Sequence, residues 1–226
     1  MVGLSDEDWL QRWSDHRIPF HESRVNPLLL RHASAWNGGQ PVERLLVPFC
    51  GKSVDMVWLA RHAGEIVGVE LSALALREFH ADNGLQFVEV HEPPFGVFRA
   101  KSITTLAGDF FHLTAGRFGR FQAAYDRAAL IALPAAGRPG YVDHLLSLLA
   151  AGARILLITL EFAPEEMSGP PFPVDRAEVD RLFGRCAAVV PLSRDEVTAV
   201  DHPLLARGLS RLHEAAYLIT VQPTDD

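Results

Sequence analysis

Hydrophobic positions along the chain switch between two spacings. Leu45-Leu46-Val47 and Ile66-Val67-Gly68-Val69 are short continuous apolar runs, the pattern of strands buried on both faces. Between them Val54, Val57 and Trp58 give a helical apolar face. A sharp turn at residues 48–51 leads from the first strand into a helix entered at Ser53, with Ser53 or Asp55 available to cap it. The second strand stops on an acid, Glu70. Strand, tight turn, helix, strand, acid is the opening unit of a nucleotide-cofactor fold.

The flanking pattern extends this alternation. Residues 5–14 read as a short helix capped by Ser5, with Asp6, Glu7 and Asp8 in its first turn. Trp9 and Trp13 stand at i and i+4 and share one face, as docking residues for the core or as an aromatic wall over a ligand. Asn26-Pro27 starts a second helix through Leu28, Leu29, Leu30 and His32. Ser72 caps another through Leu74, Leu76 and Phe79, ending near Asn83-Gly84. Residues 86–90 are expected as the third strand, and residues 96–107 as a strand pair around Ala100-Lys101. Residues 121–125 form a short strand ending at Asp126-Arg127. Helical spacing in residues 139–150 precedes a continuous apolar strand at 153–162. Gly169-Pro170-Pro171-Phe172-Pro173 reads most simply as a rigid connector, and otherwise as part of a substrate wall. Asp175 caps a helix through Val179, Leu182 and Phe183, and residues 187–192 and 212–221 pair as the last two strands.

Composition narrows the picture. The chain has 226 residues, 48% of them hydrophobic, enough for one sizeable α/β domain over residues 1–226, with 1–40 as an N-terminal helical cap or lid. Net charge is −7 with no basic run, which speaks against a nucleic-acid partner. No apolar run approaches the roughly 20 residues of a membrane span. Asp6, Glu7 and Asp8 lie where a secretory signal is basic and then apolar. The expectation is a soluble, cytoplasmic, monomeric protein with no membrane partner. Cys50 and Cys186 read as reduced thiols.

Three cofactor chemistries compete for the turn. A phosphate-binding P-loop needs a glycine five residues before Gly51-Lys52-Ser53, where the chain has Leu46. A dinucleotide fingerprint needs three spaced glycines, and the turn has Gly51 alone. S-adenosylmethionine carries no phosphate, so one glycine lets its methionine part pass, and Glu70 can accept the ribose hydroxyls. This third reading fits the residues best. Gly51, Glu70, Asp109 and Asp126-Arg127 all fall at strand ends, where open α/β sheets bind ligands. The histidines show no paired metal-ligand spacing, and no nucleophile elbow is present. Cys50 has no activating motif and reads as a packing residue. Arg127 is either a structural partner of Asp126 or the holder of an anionic acceptor. Asp109 either caps the following turn or contacts an adenine amine. His21 and Asp126 are weak candidates for a general base.

These pieces together resemble the thiopurine S-methyltransferase family. The motifs are Trp9-x-x-x-Trp13 with Phe20-His21, Val47-Pro48-Phe49-Cys50-Gly51-Lys52-Ser53 with Asp55 and Trp58-Leu59-Ala60, and Gly68-Val69-Glu70-Leu71-Ser72. Gly108-Asp109-Phe110-Phe111, the run from Tyr125-Asp126-Arg127 to Pro134, and Gly169-Pro170-Pro171-Phe172 complete the set. The resemblance implies a class I methyltransferase fold, a seven-stranded, mostly parallel sheet with helices on both faces and its last strand antiparallel. It implies S-adenosylmethionine as cofactor and aromatic or heterocyclic thiols, thiopurines included, as acceptors. By matching positions, Trp9, Trp13 and Phe20 wrap the cofactor, Phe49 and Gly51 line its methionine part, and Glu70 with Leu71 takes the ribose. Asp109 and Phe110 border the adenine. Arg127 touches the cofactor and sits beside the acceptor, with Phe20 and Pro171 near it. Arg207 and Arg211 lie where animal members have a further substrate-side arginine, and neither aligns with it. Two alternatives stand beside this reading: a selenium or tellurium species or another small nucleophile as acceptor, and a non-catalytic module that only holds a cofactor or partner.

Overall fold

The apolar runs become a sheet buried on both faces. The computed structural model describes residues 3–18, 21–198 and 202–222. Helices α1 (Asp6–Ser14) and α2 (Pro27–Asn37) precede β1 (Val42–Pro48), α3 (Asp55–Leu59), β2 (Ala63–Glu70) and α4 (Ala73–Asp82). Strands β3 (Val88–Glu92), β4 (Phe95–Ala100) and β5 (Ile103–Ala107) follow, then a 3-10 turn at Phe110–His112 and α5 (Ala115–Phe118). The second half runs β6 (Phe121–Asp126), α6 (Ala129–Ala132), α7 (Arg138–Leu148), β7 (Leu149–Glu161), α8 (Arg176–Phe183), β8 (Ala187–Glu196), α9 (Pro203–Ala206) and β9 (His213–Val221).

The strands form one sheet in the order β3-β4-β5-β2-β1-β6-β7-β9-β8. Strands β5, β2, β1, β6 and β7 pair in parallel, and β9 is antiparallel to both β7 and β8. This corrects the seven-strand expectation: among the described residues the sheet has nine strands. The seven expected positions run from β5 to β8. The β3–β4 hairpin extends them antiparallel at the β5 edge. Residues 86–90 therefore contribute to the outermost strand, and the third parallel strand is β5. Val88 and Val90 are exposed on that edge, so their apolar pattern carries no core signal.

Side chains alternate faces along each strand. Leu46, Val67, Val69, Ile155 and Leu157 join one core with Tyr141, Val142 and Leu145 of α7 and Val179 and Phe183 of α8. Leu45, Val47, Ile66, Leu156 and Ile158 join the other with Leu29 and Trp36 of α2, Met56 and Leu59 of α3, and Leu76 and Phe79 of α4. The result is a helix–sheet–helix sandwich, and its parallel strands send their C-terminal ends to one edge. Caps set several helix starts. Ser5 and Asp8 form a reciprocal capping box on α1, and Asn26, Ser72 and Asp175 accept first-turn N–H bonds of α2, α4 and α8. Asp55 does not cap α3. The Ser53 hydroxyl accepts the Asp55 N–H at 3.3 Å, while the Asp55 side chain turns inward and is 1% exposed.

Candidate active site

The turn after β1 is built around two left-handed residues. Phe49 has φ +47° and Gly51 has φ +50°. For a bulky residue such as Phe49 this conformation is unfavourable and persists only when its surroundings enforce it. Here they do. The Cys50 N–H donates to the Val69 carbonyl at 2.9 Å, and the Gly51 N–H donates to Glu70 Oε2 at 3.0 Å. The Phe49 ring packs against Phe110 and Tyr141, with ring centres 5.7 Å apart in each case. A side chain at Gly51 would place its Cβ 3.1 Å from the Trp13 ring, so the position needs glycine on both counts.

Glu70 ends β2 beneath this turn and is buried. Its Oε1 accepts the Ser72 N–H at 2.9 Å, and the Leu71 N–H and the Trp13 indole also bond it. Burial pushes the carboxyl up from its ordinary range, and these donors pull it back only in part. Cys50 lies beneath, buried against Gly68 and Met56. Burial, with the Glu70 charge nearby, raises its thiol well above the ordinary value, the opposite of an activated nucleophile. Lys52 points away from the turn to Glu78 and Asp82 of α4, at 2.9 and 3.0 Å.

A cleft of about 390 Å³ opens over these groups. Trp9, Trp13, Phe49, Gly51, Glu70, Leu71, Asp109, Phe110, Arg127 and Pro171 all line it. The structure thus brings together every expected site residue except Phe20, which lies outside the described residues. The two tryptophans differ: Trp13 is 3% exposed and lines the cleft, whereas Trp9 lines the cleft without joining the core. Asp109 caps the following turn, its Oδ1 accepting the Phe111 N–H at 2.9 Å, and it also lines the cleft. Pro170 and Pro171 form part of the wall, which replaces the simpler connector reading. The Phe172 N–H fixes that segment to the Ile131 carbonyl at 2.7 Å.

Arg127 does not pair with Asp126. Asp126 is fully buried and accepts bonds from Tyr141 Oη and from the Ala129 and Leu130 N–H groups, at 2.7, 3.0 and 3.3 Å. Burial lifts its carboxyl to about 6. It is absent from the cleft wall, so it is not the base. The partner of Arg127 is Asp55, with Nε 3.4 Å from Oδ2. Asp55 is held in turn by the Tyr125 hydroxyl at 2.9 Å and the Asn26 N–H at 2.8 Å. The α2 cap, the start of α3 and the end of β6 thereby orient one guanidinium. Arg207 reaches the cleft, whereas Arg211 pairs with Glu196 at 3.1 Å.

Residue-by-residue reading missed Glu214, at the start of β9, and His202, both on the cleft wall. A signal for Glu214 existed. An antiparallel last strand brings its N-terminal end to the edge where the parallel strands finish, and Glu214 is an acid entering an otherwise apolar strand. Among the described residues, no group of three or more His, Cys, Asp or Glu is arranged to hold a metal ion, and no helix is long and apolar enough to cross a membrane.

Comparison with known proteins agrees with this geometry. The chain resembles in overall fold the N-methyltransferase NodS of Bradyrhizobium japonicum WM9, solved with S-adenosylhomocysteine, at TM-score 0.64, 13% identity and 92% and 97% coverage of the two chains. It is similarly close to a Burkholderia thailandensis 1,6-didemethyltoxoflavin-N1-methyltransferase, at TM-score 0.64, 15% identity and 99% and 93% coverage. In sequence it is 44% identical over 211 residues to a thiopurine S-methyltransferase of Pseudomonas paraeruginosa, covering 93% of this chain and 96% of that one. It is 41% identical over 218 residues to one from Nitrosospira multiformis, covering 96% and 98%. The family model for thiopurine S-methyltransferase matches residues 4–222. With the class I methyltransferase sheet and a cleft at its strand ends, the chain belongs to the thiopurine S-methyltransferase family.

Proposed function

We propose that this chain transfers the methyl group of S-adenosylmethionine to the sulfur of an aromatic or heterocyclic thiol. The observation that carries this reading is the Gly51–Glu70 pair, in which a left-handed glycine and a buried carboxylate are joined by one hydrogen bond on the cleft wall. The residues present fit the cofactor. With no side chain at Gly51, the methionine part passes between the turn and the Trp13 ring beside Phe49, and Glu70 with Leu71 faces the ribose. Asp109 and Phe110 border the adenine, and Arg127 reaches both ligands. When bound, the cofactor supplies an activated methyl group, so the protein contributes alignment and exclusion of water. Arg127, fixed by Asp55, stabilises the anionic acceptor. The Trp9 and Trp13 rings offer π faces to a cation. Pro171 bounds the acceptor.

Residues 1–40 act as a cap or lid on a single domain spanning 1–226. Gly51, Leu71, Ser72 and Trp13 supply four donors to Glu70, which matches its acceptor capacity. A ribose hydroxyl therefore takes the place of the Trp13 indole, and α1 moves when the cofactor enters. Hydrogen exchange in residues 3–18 is expected to change on adding S-adenosylhomocysteine, and identical exchange with and without it refutes the lid. The protein works as a cytoplasmic monomer on a small thiol or selenol. Radiolabelled methyl transfer tested across thiols, selenite, phenols and amines decides the main reading. Transfer to thiols supports it, and transfer to phenols or amines alone overturns it.

A further inference from the structure

We propose that Glu214 is the base of the reaction, taking the proton of an acceptor thiol or selenol that enters the cleft protonated. The inference rests on the methyl-transfer reading above and adds to it a proton acceptor and an acceptor class. The acceptor sulfur bonds to the methyl carbon, and the carbon–sulfonium bond breaks, leaving its electron pair on the donor sulfur. The acceptor's S–H proton passes to the Glu214 carboxylate and from there to solvent.

The geometry singles out Glu214 by what each other carboxyl already does. Glu70 is saturated with donors at the far end of the cleft. Asp126 is enclosed, and Asp55 is committed to Asn26, Tyr125 and Arg127. Asp109 holds the Phe111 N–H. Glu22 stands exposed on the loop before α2. Glu214 is half-buried on the wall, beside β7 through its pairing with Leu160, and its side chain has no hydrogen bond to another described residue.

The groups around Glu214 complete the device. Arg127 beyond β6, His202 ahead of α9, Glu22, Asp195 on β8 and the Tyr125 phenol are the charged and titratable neighbours that it feels. Burial outweighs the attraction of Arg127 and His202, so the carboxyl is held above its ordinary range and is a stronger base than a solvated glutamate. Arg127 stands ready for the thiolate as the proton leaves. His21 also lines the cleft, but burial, with the Lys52 and Arg127 charges, lowers its basicity.

The test is the pH dependence of kcat/KM for two acceptors, a weakly acidic alkyl thiol and an acidic heterocyclic thiol. Glu214→Gln is expected to lose on the order of 10²–10⁴-fold with the alkyl thiol. It should lose little with the acidic thiol, which arrives ionised, and cofactor affinity should hold. Raising the pH toward the alkyl thiol's own ionisation should restore its rate. Glu214→Asp, which keeps the acid, should retain the wild-type pH limb at reduced rate. An equal loss for both acceptors with a lower Tm, or a pH limb that disappears in His21→Asn and persists in Glu214→Gln, overturns the proposal. Wild-type protein that methylates no thiol or selenol at any pH removes the underlying reading as well.

Discussion

The cleft has two ends, and each is built on a glutamate. Glu70 ends β2 and Glu214 begins β9, with β1, β6 and β7 between them in the sheet. At about 4.8 Å per strand they stand roughly 19 Å apart across it. Burial raises both carboxyls. Their surroundings differ. Glu70 is ringed by N–H donors that fix its orientation, as a recognition group needs. Glu214 has charged neighbours at a distance and no bound donor, as a proton acceptor needs. On the proposed reading, one residue type serves binding or proton transfer according to whether the backbone supplies it with hydrogens.

Apart from Glu214→Gln, the largest effect, counting affinity and stability together, is expected at the saturated end. Glu70→Ala removes the ribose acceptor and strands the Gly51 and Ser72 N–H groups. Cofactor affinity should fall roughly ten- to a hundredfold, and each stranded donor should cost about 1–3 kcal/mol of stability. Calorimetry with S-adenosylhomocysteine and thermal unfolding measure both, and unchanged affinity removes Glu70 from the site. A third carboxyl sharpens the comparison. Asp126 is held by three donors, yet burial still lifts it from 3.8 to about 6. Between about pH 4 and about pH 6 the native state therefore keeps a proton that the unfolded chain has released. Stability is greatest below that window and falls, by on the order of 3 kcal/mol, as pH rises through it. Asp126→Asn should flatten that fall, and denaturant melts giving the same pH slope for both proteins contradict the assignment.

The smallest effect is expected between the two ends. Arg127→Ala should lower kcat/KM by roughly 1.5–3 kcal/mol, about ten- to a hundredfold, with cofactor affinity nearly unchanged. Arg127→Lys should recover part of it, because a lysine keeps the charge without the planar fork. The loss should be greater for acidic thiols than for a neutral acceptor of similar shape. Equal losses for both, together with a clear drop in Tm, would make Arg127 a structural partner of Asp55 and nothing more.

Much of the cofactor end was legible in the chain because its residues are local. Gly51 follows one strand, Glu70 closes the next, and a single βαβ unit brings them together. Asp109-Phe110 and Asp126-Arg127 were found by the same strand-end rule. The acceptor end was less legible. Asp55 read as a cap at the start of α3, but it faces inward to Tyr125, a partner 70 positions away. Arg127 read either as a partner of its chain neighbour Asp126 or as the holder of an acceptor, and its pairing with Asp55 was not visible. Adjacent residues at a strand end point to opposite sides, so Asp126 joins the core and Arg127 joins the cleft.

By itself the sequence determined α1, α2, α4 and α8 with their caps, the central strands and the place of the β1 turn. These depend on spacing, on local side-chain bonds and on the freedom of one glycine, all of which operate within a few residues. Tertiary structure alone decided that β3 and β4 extend the sheet, that Asp55 holds Arg127, that Trp13 covers Glu70, and that Glu214 meets the far end of the cleft. Those contacts depend on strand order and direction, which bring distant residues to one edge. They also depend on desolvation, which a side chain experiences only once the surrounding core has closed.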